Sequence, residues 1–276
     1  MNLAHITQQV SDLARRVGQQ IWTLRQNTEV QIETKGRHDF VTQMDKLSEK
    51  LLVEELTQIL PEAGFIAEEQ TKTELGAEFN WVVDPIDGTT NFIHGQPPSA
   101  ISIALLQCTD IEHHRTEGQI LVGVVYEMSR DELFAAWLGG GATLNGKPIK
   151  VSQNNLDNAL VATGFPYSNF ERLDDYMLTL RDVMESTAGV RRLGSAATDM
   201  AYVAVGRYDA FFEYDLKPYD VAAGALLVTE AGGCLSDFSG GRDYIFGREM
   251  VATNQMASAD FRAMVQRRLG TKKEEI

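Results

Sequence analysis

The chain has 276 residues, 43% of them hydrophobic, enough to fill a sizeable core in one large domain or in two that share one. Its formal net charge of −14 argues against a sequence-independent grip on nucleic acid, which relies on Lys and Arg to neutralise phosphates. Cys108 and Cys234 stand far apart with no Cys or His at ligand spacing, so neither a zinc site nor a disulfide framework is indicated, and both read as core thiols of a reducing cytoplasm.

Ile6, Val10, Leu13, Val17, Ile21 and Leu24 recur at steps of three and four, which predicts one long opening helix with a single apolar stripe. Residues 35–39 (Lys-Gly-Arg-His-Asp) read as a turn, and a second helix is expected over 42–60, ended by Pro61. From Phe65 the pattern changes to short apolar runs, predicting strands at 65–67, 81–83, 101–106, 120–126 and 133–137. Turn signals at 139–141 and at Asn145-Gly146 precede a further strand at 149–151. The second half alternates, with strands at 160–163, 190–193, 210–214, 234–236 and 251–253 and helices at 174–185, 196–205, 221–231 and 257–269. The charged tail, 271–276, is expected to fray. Two halves, 1–155 and 156–276, are expected to form one compact α/β unit around a shared cleft. The start of the chain lacks a basic segment followed by an apolar one, and no run of about 18 apolar residues occurs, so a cytoplasmic protein with no membrane association is expected.

The chemistry concentrates in Asp84-Pro85-Ile86-Asp87-Gly88-Thr89-Thr90-Asn91-Phe92. Asp84 follows an apolar run and should sit where a strand ends, with Pro85 fixing the turn and Gly88 allowing a tight fold. In such a turn Asp84, Asp87 and the carbonyl of Ile86 can converge as hard oxygen ligands suited to Mg²⁺. Gly88, Thr89 and Thr90 then offer N–H groups and hydroxyls to a phosphate. Each residue alone has a plainer reading. Asp-Gly-Thr is a common surface turn, Glu68 a solvated strand end, Asp220 a helix cap, and Glu213 an outward-facing strand residue.

This nine-residue string, with Ile66-Ala67-Glu68-Glu69 before it and Tyr219-Asp220-Val221-Ala222-Ala223-Gly224 far after it, closely resembles the inositol monophosphatase family. Phe40-Val41-Thr42 with Asp45, Gly194-Ser195-Ala196-Ala197 and Thr229-Glu230-Ala231-Gly232-Gly233 extend the resemblance over nearly the whole chain. The resemblance implies a layered αβαβα sandwich of the inositol monophosphatase and fructose bisphosphatase type. It implies a lithium-sensitive, Mg²⁺-dependent phosphoric monoester hydrolase working with two or three ions, commonly as a homodimer. Glu68, Asp84, Ile86 through its carbonyl, Asp87 and Asp220 look like the metal ligands. Glu68 and Thr89 resemble the pair that orients and deprotonates the attacking water, and Asp87 stands beside them. Gly88 and Thr89 would hold the phosphate, while Gly194, Ser195, Ala196, Glu213 and Asp220 would line the alcohol side. Lys35 and Asp45 resemble accessory elements for a further, weaker ion.

Four carboxylates close together repel one another strongly when empty, so activity should depend on Mg²⁺. Two departures from the family pattern bear on the substrate. Tyr219 stands where relatives usually have Trp, and Asp215 stands where many have Gly, two residues from Glu213. Arg191 and Arg192 are candidates for a second anionic group, a salt bridge or an interface, and His94 reads as structural. The expected substrate is a small phosphorylated compound, myo-inositol monophosphate first, with histidinol phosphate, sugar bisphosphate or a 3′-phosphoadenosine nucleotide as alternatives. An acidic chain of this family could instead serve as a binding partner of the transcription machinery.

Overall fold

In the computed structural model, which describes residues 1–28, 30–36, 39–72, 74–107, 118–166 and 169–270, helix α1 (Leu3–Asn27) buries Ile6, Val10, Leu13, Val17 and Ile21 along one face, as their spacing predicts. Cys108 and the tail at 271–276 lie outside the described residues, as do the side chains of 34–40, Lys35 among them. Of the stretch read as a turn, residues 37 and 38 lie outside the described residues, and on either side of them β1 (Ile32–Gly36) pairs antiparallel with β2 (Asp39–Thr42). The polar strand residues show no alternation, so no periodic signal announced this pair. Helix α2 (Gln43–Ile59) starts at a capping box in which Thr42 Oγ1 accepts from Asp45 N–H at 3.4 Å and Asp45 Oδ2 accepts from Thr42 N–H at 2.8 Å.

Strands β3 (Gly64–Ala67), β4 (Phe79–Asp87), β5 (Ala100–Gln107), β6 (Gln119–Glu127), β7 (Glu132–Trp137), β8 (Gly141–Leu144) and β9 (Lys147–Pro148) form a seven-stranded sheet in chain order, with the short helix α3 (Thr89–His94) between β4 and β5. The strand expected at 149–151 is irregular. The Asn145-Gly146 turn instead closes the β8–β9 hairpin, and the N–H groups of Ile149 and Val151 donate to Ala142 and Ala231 carbonyls. The second sheet contains β10 (Leu160–Thr163), β11 (Gly189–Arg191), β12 (Ala210–Tyr214), β13 (Cys234–Ser236) and β14 (Glu249–Thr253) in the order β11-β10-β12-β14-β13. Helices α4 (Leu173–Ser186), α5 (Ala196–Ala204), α6 (Pro218–Glu230) and α7 (Ser258–Leu269) pack around it. Cys234 on β13 is only half-buried, not a core thiol.

Three apolar clusters define the layers. Helices α1 and α2 cover one face of the larger sheet through Phe65, Trp81, Val83, Ile103 and Val124. Helices α5 and α6 fill the space between the sheets, against Val82, Ala104 and Val125 on one side and Phe211, Met250 and Ala252 on the other. Helices α4 and α7 cover the outer face of the smaller sheet through Val161, Phe212 and Val251. The result is an αβαβα sandwich. Gly123 on β6 allows α6 to come close, because a Cβ there would lie 2.8 Å from the Ala223 carbonyl oxygen.

Strand periodicity then decides what enters the central layer. Ile66 and Val82 face α5 and α6, so the residues two further on, Glu68 and Asp84, point the same way. Phe211 also faces that layer, and so does Glu213. The carboxylates from the two sheets therefore aim at one another.

Candidate metal and phosphate site

Asp84 lies inside β4, not at its end as its sequence context suggested. The ladder to β5 runs from Asp84↔Ser102 to Asp87↔Ala100, so β4 carries one extra residue, a bulge at Pro85 and Ile86. Pro85 has no N–H for the ladder, and the bulge turns both aspartates toward the same side. Ser48 on α2 secures it by donating to the Pro85 carbonyl at 3.0 Å, and Ile86 N–H donates to Asp84 Oδ1 at 3.0 Å. Gly88 follows with φ +88°, a left-handed backbone that favours glycine, and starts α3. Thr89 Oγ1 lies 3.0 Å from the Ile86 carbonyl and 3.2 Å from Asp45 Oδ1.

The other half of the site comes from the central helices. Ser195 caps α5 by accepting from Thr198 N–H, and its hydroxyl donates to Asp87 Oδ2 at 2.6 Å. Ala197 N–H donates to the same oxygen at 2.7 Å. Asp220, in the first turn of α6, accepts from Lys217 N–H at 2.6 Å, and Ser102 on β5 holds the preceding Tyr219 carbonyl at 3.0 Å. Asn91 on α3 donates to the Leu193 and Pro98 carbonyls, at 2.7 and 2.9 Å, and so fixes the segment leading into Gly194.

A cleft of about 350 Å³ is lined by Glu68, Asp84, Ile86, Asp87, Gly88, Thr89, Gly194, Ser195, Ala196, Glu213 and Asp220, every candidate whose side chain is described except Asp45. Thr90, Arg192, Asp215 and Leu216 complete its wall. Asp45 is fully buried behind Thr89, its Oδ2 held by Thr42 and its Oδ1 by the Thr89 hydroxyl, so it reaches the cleft only through Thr89. His94 is exposed at the end of α3 and does not line the cleft. Arg191 and Arg192 are both exposed, and the Arg192 guanidinium sits 5.6 Å from the centre of the Phe165 ring.

Carboxylate oxygens of Asp84, Asp87 and Asp220 lie within 4.8 Å of one another. Burial, then the charges of Glu68, Asp87 and Asp220, hold the Asp84 carboxyl well above its usual range. Burial likewise pushes Asp87 up to about 6, against the pull of Ser195 and of backbone N–H groups. Asp220 is raised by burial and by Asp87. Such a set carries a standing electrostatic cost that a bound cation removes, and its hard oxygen donors fit a small divalent ion such as Mg²⁺.

Some positioning residues carried no readable sequence signal. Ser48 and Asn91 act through backbone carbonyls. Glu49 accepts from Glu69 and Thr71 N–H at 2.6 and 2.7 Å and so shapes the segment after Glu68. Gly164 matters for its missing side chain, since a Cβ there would lie 1.8 Å from Glu213 Oε1.

Known proteins resemble the chain along most of its length. The model of the inositol monophosphatase family matches residues 2–269. The chain is 43% identical over 227 residues to the Nus factor SuhB of Escherichia coli strain K12, covering 82% of each chain. It is 41% identical over 246 residues to the inositol-1-monophosphatase of Rhizobium meliloti, covering 88% of this chain and 89% of that one. The crystal structure of the extragenic suppressor protein suhB of Bartonella henselae superposes with a TM-score of 0.85 at 35% identity, over 96% of this chain and 99% of that one.

Proposed function

Because the chain belongs to the inositol monophosphatase family, whose members are Mg²⁺-dependent phosphoric monoester hydrolases, we propose that it hydrolyses the monophosphate of a small polyol, myo-inositol monophosphate first, in the cytoplasm. The observation that carries this reading is the cluster of Asp84, Asp87 and Asp220 facing the start of α3 across one cleft. Asp84, Asp87, Asp220, Glu68 and the Ile86 carbonyl would hold the metal, which supplies charge neutralisation for the phosphate and for the leaving oxygen. The backbone of Gly88 and Thr89 cradles the phosphate. Glu68 and Thr89 hold the attacking water, and its proton passes toward the Glu68 carboxylate. Glu213, Ser195, Gly194 and Ala196 orient the alcohol. Asp45 steadies Thr89.

Phosphate release from myo-inositol monophosphate, histidinol phosphate, a sugar bisphosphate and a 3′-phosphoadenosine nucleotide, with and without Mg²⁺ and with added Li⁺, tests this. Turnover of the inositol ester that needs Mg²⁺ and is suppressed by Li⁺ is expected. No hydrolysis of any ester, or full activity in Asp87→Asn, would sink the reading.

Relatives named Nus factor favour a second role, docking on the transcription machinery. The acidity of the chain disfavours direct nucleic-acid contact, so a protein surface would do the docking. Co-purification with RNA polymerase by Asp87→Asn, at the wild-type level, would establish that role apart from catalysis. A homodimer is part of the same reading. It is supported by the exposed Met177, Leu178 and Met184 on α4, near Phe165 and Phe170 in sequence, an apolar set unusual for a solvent face. Among the described residues, no helix is long and apolar enough to cross a membrane.

A further inference from the structure

The antiparallel ladder between β12 and β14 ends on an unusual pair. Its last regular rung is Tyr214↔Glu249, and the two residues beyond, Asp215 and Arg248, both adopt left-handed backbones, with φ +69° and +65°. A non-glycine residue is strained in this region, and here two of them adjoin. The Arg248 guanidinium ion-pairs with the Asp215 carboxylate, and Leu216 N–H donates to the Arg248 carbonyl at 3.4 Å. The partners differ in exposure. The Asp215 side chain is 6% exposed and lines the catalytic cleft, whereas that of Arg248 is 46% exposed and outside the cleft lining. The pair is thus a dipole with its negative end on the leaving-group wall, two residues from Glu213, and its positive end screened by water.

We infer that Asp215, held by Arg248, is a specificity-determining residue that admits phosphate esters of uncharged alcohols and disfavours those whose leaving group carries a second phosphate. The inference rests on the phosphatase reading above and assigns its substrate class. The cleft itself feels this charge, since Asp215 is among the groups that raise the Glu213 carboxyl to about 8, after burial and Asp87 and against Arg192. Arg192 is the only cation among the described residues lining the cleft, against the carboxylates of Glu68, Asp84, Asp87, Glu213, Asp215 and Asp220. Glu68, Asp84, Asp87 and Asp220 would hold the metal, which leaves Glu213 and Asp215 to face the alcohol. A glycine at 215 would adopt φ +69° freely, so the backbone does not require this aspartate.

The test compares kcat/KM for inositol 1-phosphate and inositol 1,4-bisphosphate in the full chain with Mg²⁺, for wild type, Asp215→Asn, Asp215→Gly and Arg248→Gln. Asn and Gly both tolerate the left-handed backbone, so these variants keep the fold. A charge filter orders the bisphosphate-to-monophosphate ratio by the net charge of the pair. It rises by about tenfold in Asp215→Asn and Asp215→Gly, and in Arg248→Gln it stays at or below the wild-type value. The difference shrinks as ionic strength rises. Equal loss on both esters in all three variants would make the pair a structural latch and overturn the inference alone. Absence of hydrolysis of either ester by the wild type would instead overturn the phosphatase reading beneath it.

Discussion

Ser195 Oγ donates to Asp87 Oδ2 at 2.6 Å, joining two residues 108 positions apart in the chain. Ser195 caps α5 in the central layer, and Asp87 ends β4 in the larger sheet. One hydroxyl thus ties a carboxylate of the acidic cluster to a helix that walls the cleft.

Ser195→Ala removes both the cap and this bond. It should lower stability by about 1 kcal/mol, the usual value of a cap. Affinity for Mg²⁺ or turnover should fall roughly 10- to 100-fold, as for other residues that orient a metal ligand. Ser195→Thr keeps the hydroxyl and should recover most of each. Calorimetric titration of Mg²⁺ with urea melts of the three proteins checks this, and a Thr variant as impaired as Ala would contradict it.

The clustered carboxylates should make stability depend on the cation. Saturation at about 100 times Kd should stabilise the wild type by roughly 2.7 kcal/mol. Asp84→Asn should act in two directions, raising the stability of the metal-free protein by relieving repulsion while abolishing the Mg²⁺-dependent gain. Thermal melts in chelator and in Mg²⁺ report both. A metal-free variant less stable than the wild type would show that the cluster is not strained.

Asp199 on α5 is 1% exposed, and its Oδ1 is buried without a hydrogen-bond partner. Burial, then the charges of Glu213 and Asp87, hold its carboxyl well above the usual range, with Arg192 opposing. A carboxyl whose pKa is higher in the folded state costs nothing below its unfolded pKa of about 4, and stability drains away as pH climbs from there toward the folded value. Asp199→Asn should therefore stabilise the protein by about 1–2 kcal/mol at pH 8 and by much less at pH 4. Urea melts at the two pH values decide it, an equal effect at both counting against the mechanism.

Gly164→Ala places a Cβ 1.8 Å from Glu213 Oε1 and must push that side chain off its present position. The expected result is a KM for the inositol ester raised about tenfold or more, with a smaller change in the inhibition constant of inorganic phosphate, because the phosphate side is untouched. Steady-state kinetics with phosphate as a product inhibitor separates the two. Equal changes in both constants would place Glu213 outside the alcohol side.

Much of this molecule is legible along the chain because its signals are local. The steps of three and four from Ile6 to Ile21 write α1 directly, and the string Asp84 to Phe92 offers hard oxygen donors beside N–H groups and hydroxyls suited to a phosphate. Asp220, Glu68 and Glu213 are each unremarkable in their own neighbourhoods, and only the family pattern singled them out. Local pattern also failed where no periodicity existed, at the polar β1–β2 pair, and where proline removed a ladder N–H, so that Asp84 lies within a bulged strand and not at its end. What only the tertiary structure decided is how the two sheets address one another. Strand parity aims Glu68, Asp84 and Glu213 into one layer, Gly123 lets α6 approach closely, and Gly164 leaves the room Glu213 occupies. The Asp215–Arg248 pair is of this kind as well. Its residues are 33 apart in sequence, and their charges meet only because the β12–β14 ladder ends beside the cleft, where burial makes a single carboxylate count.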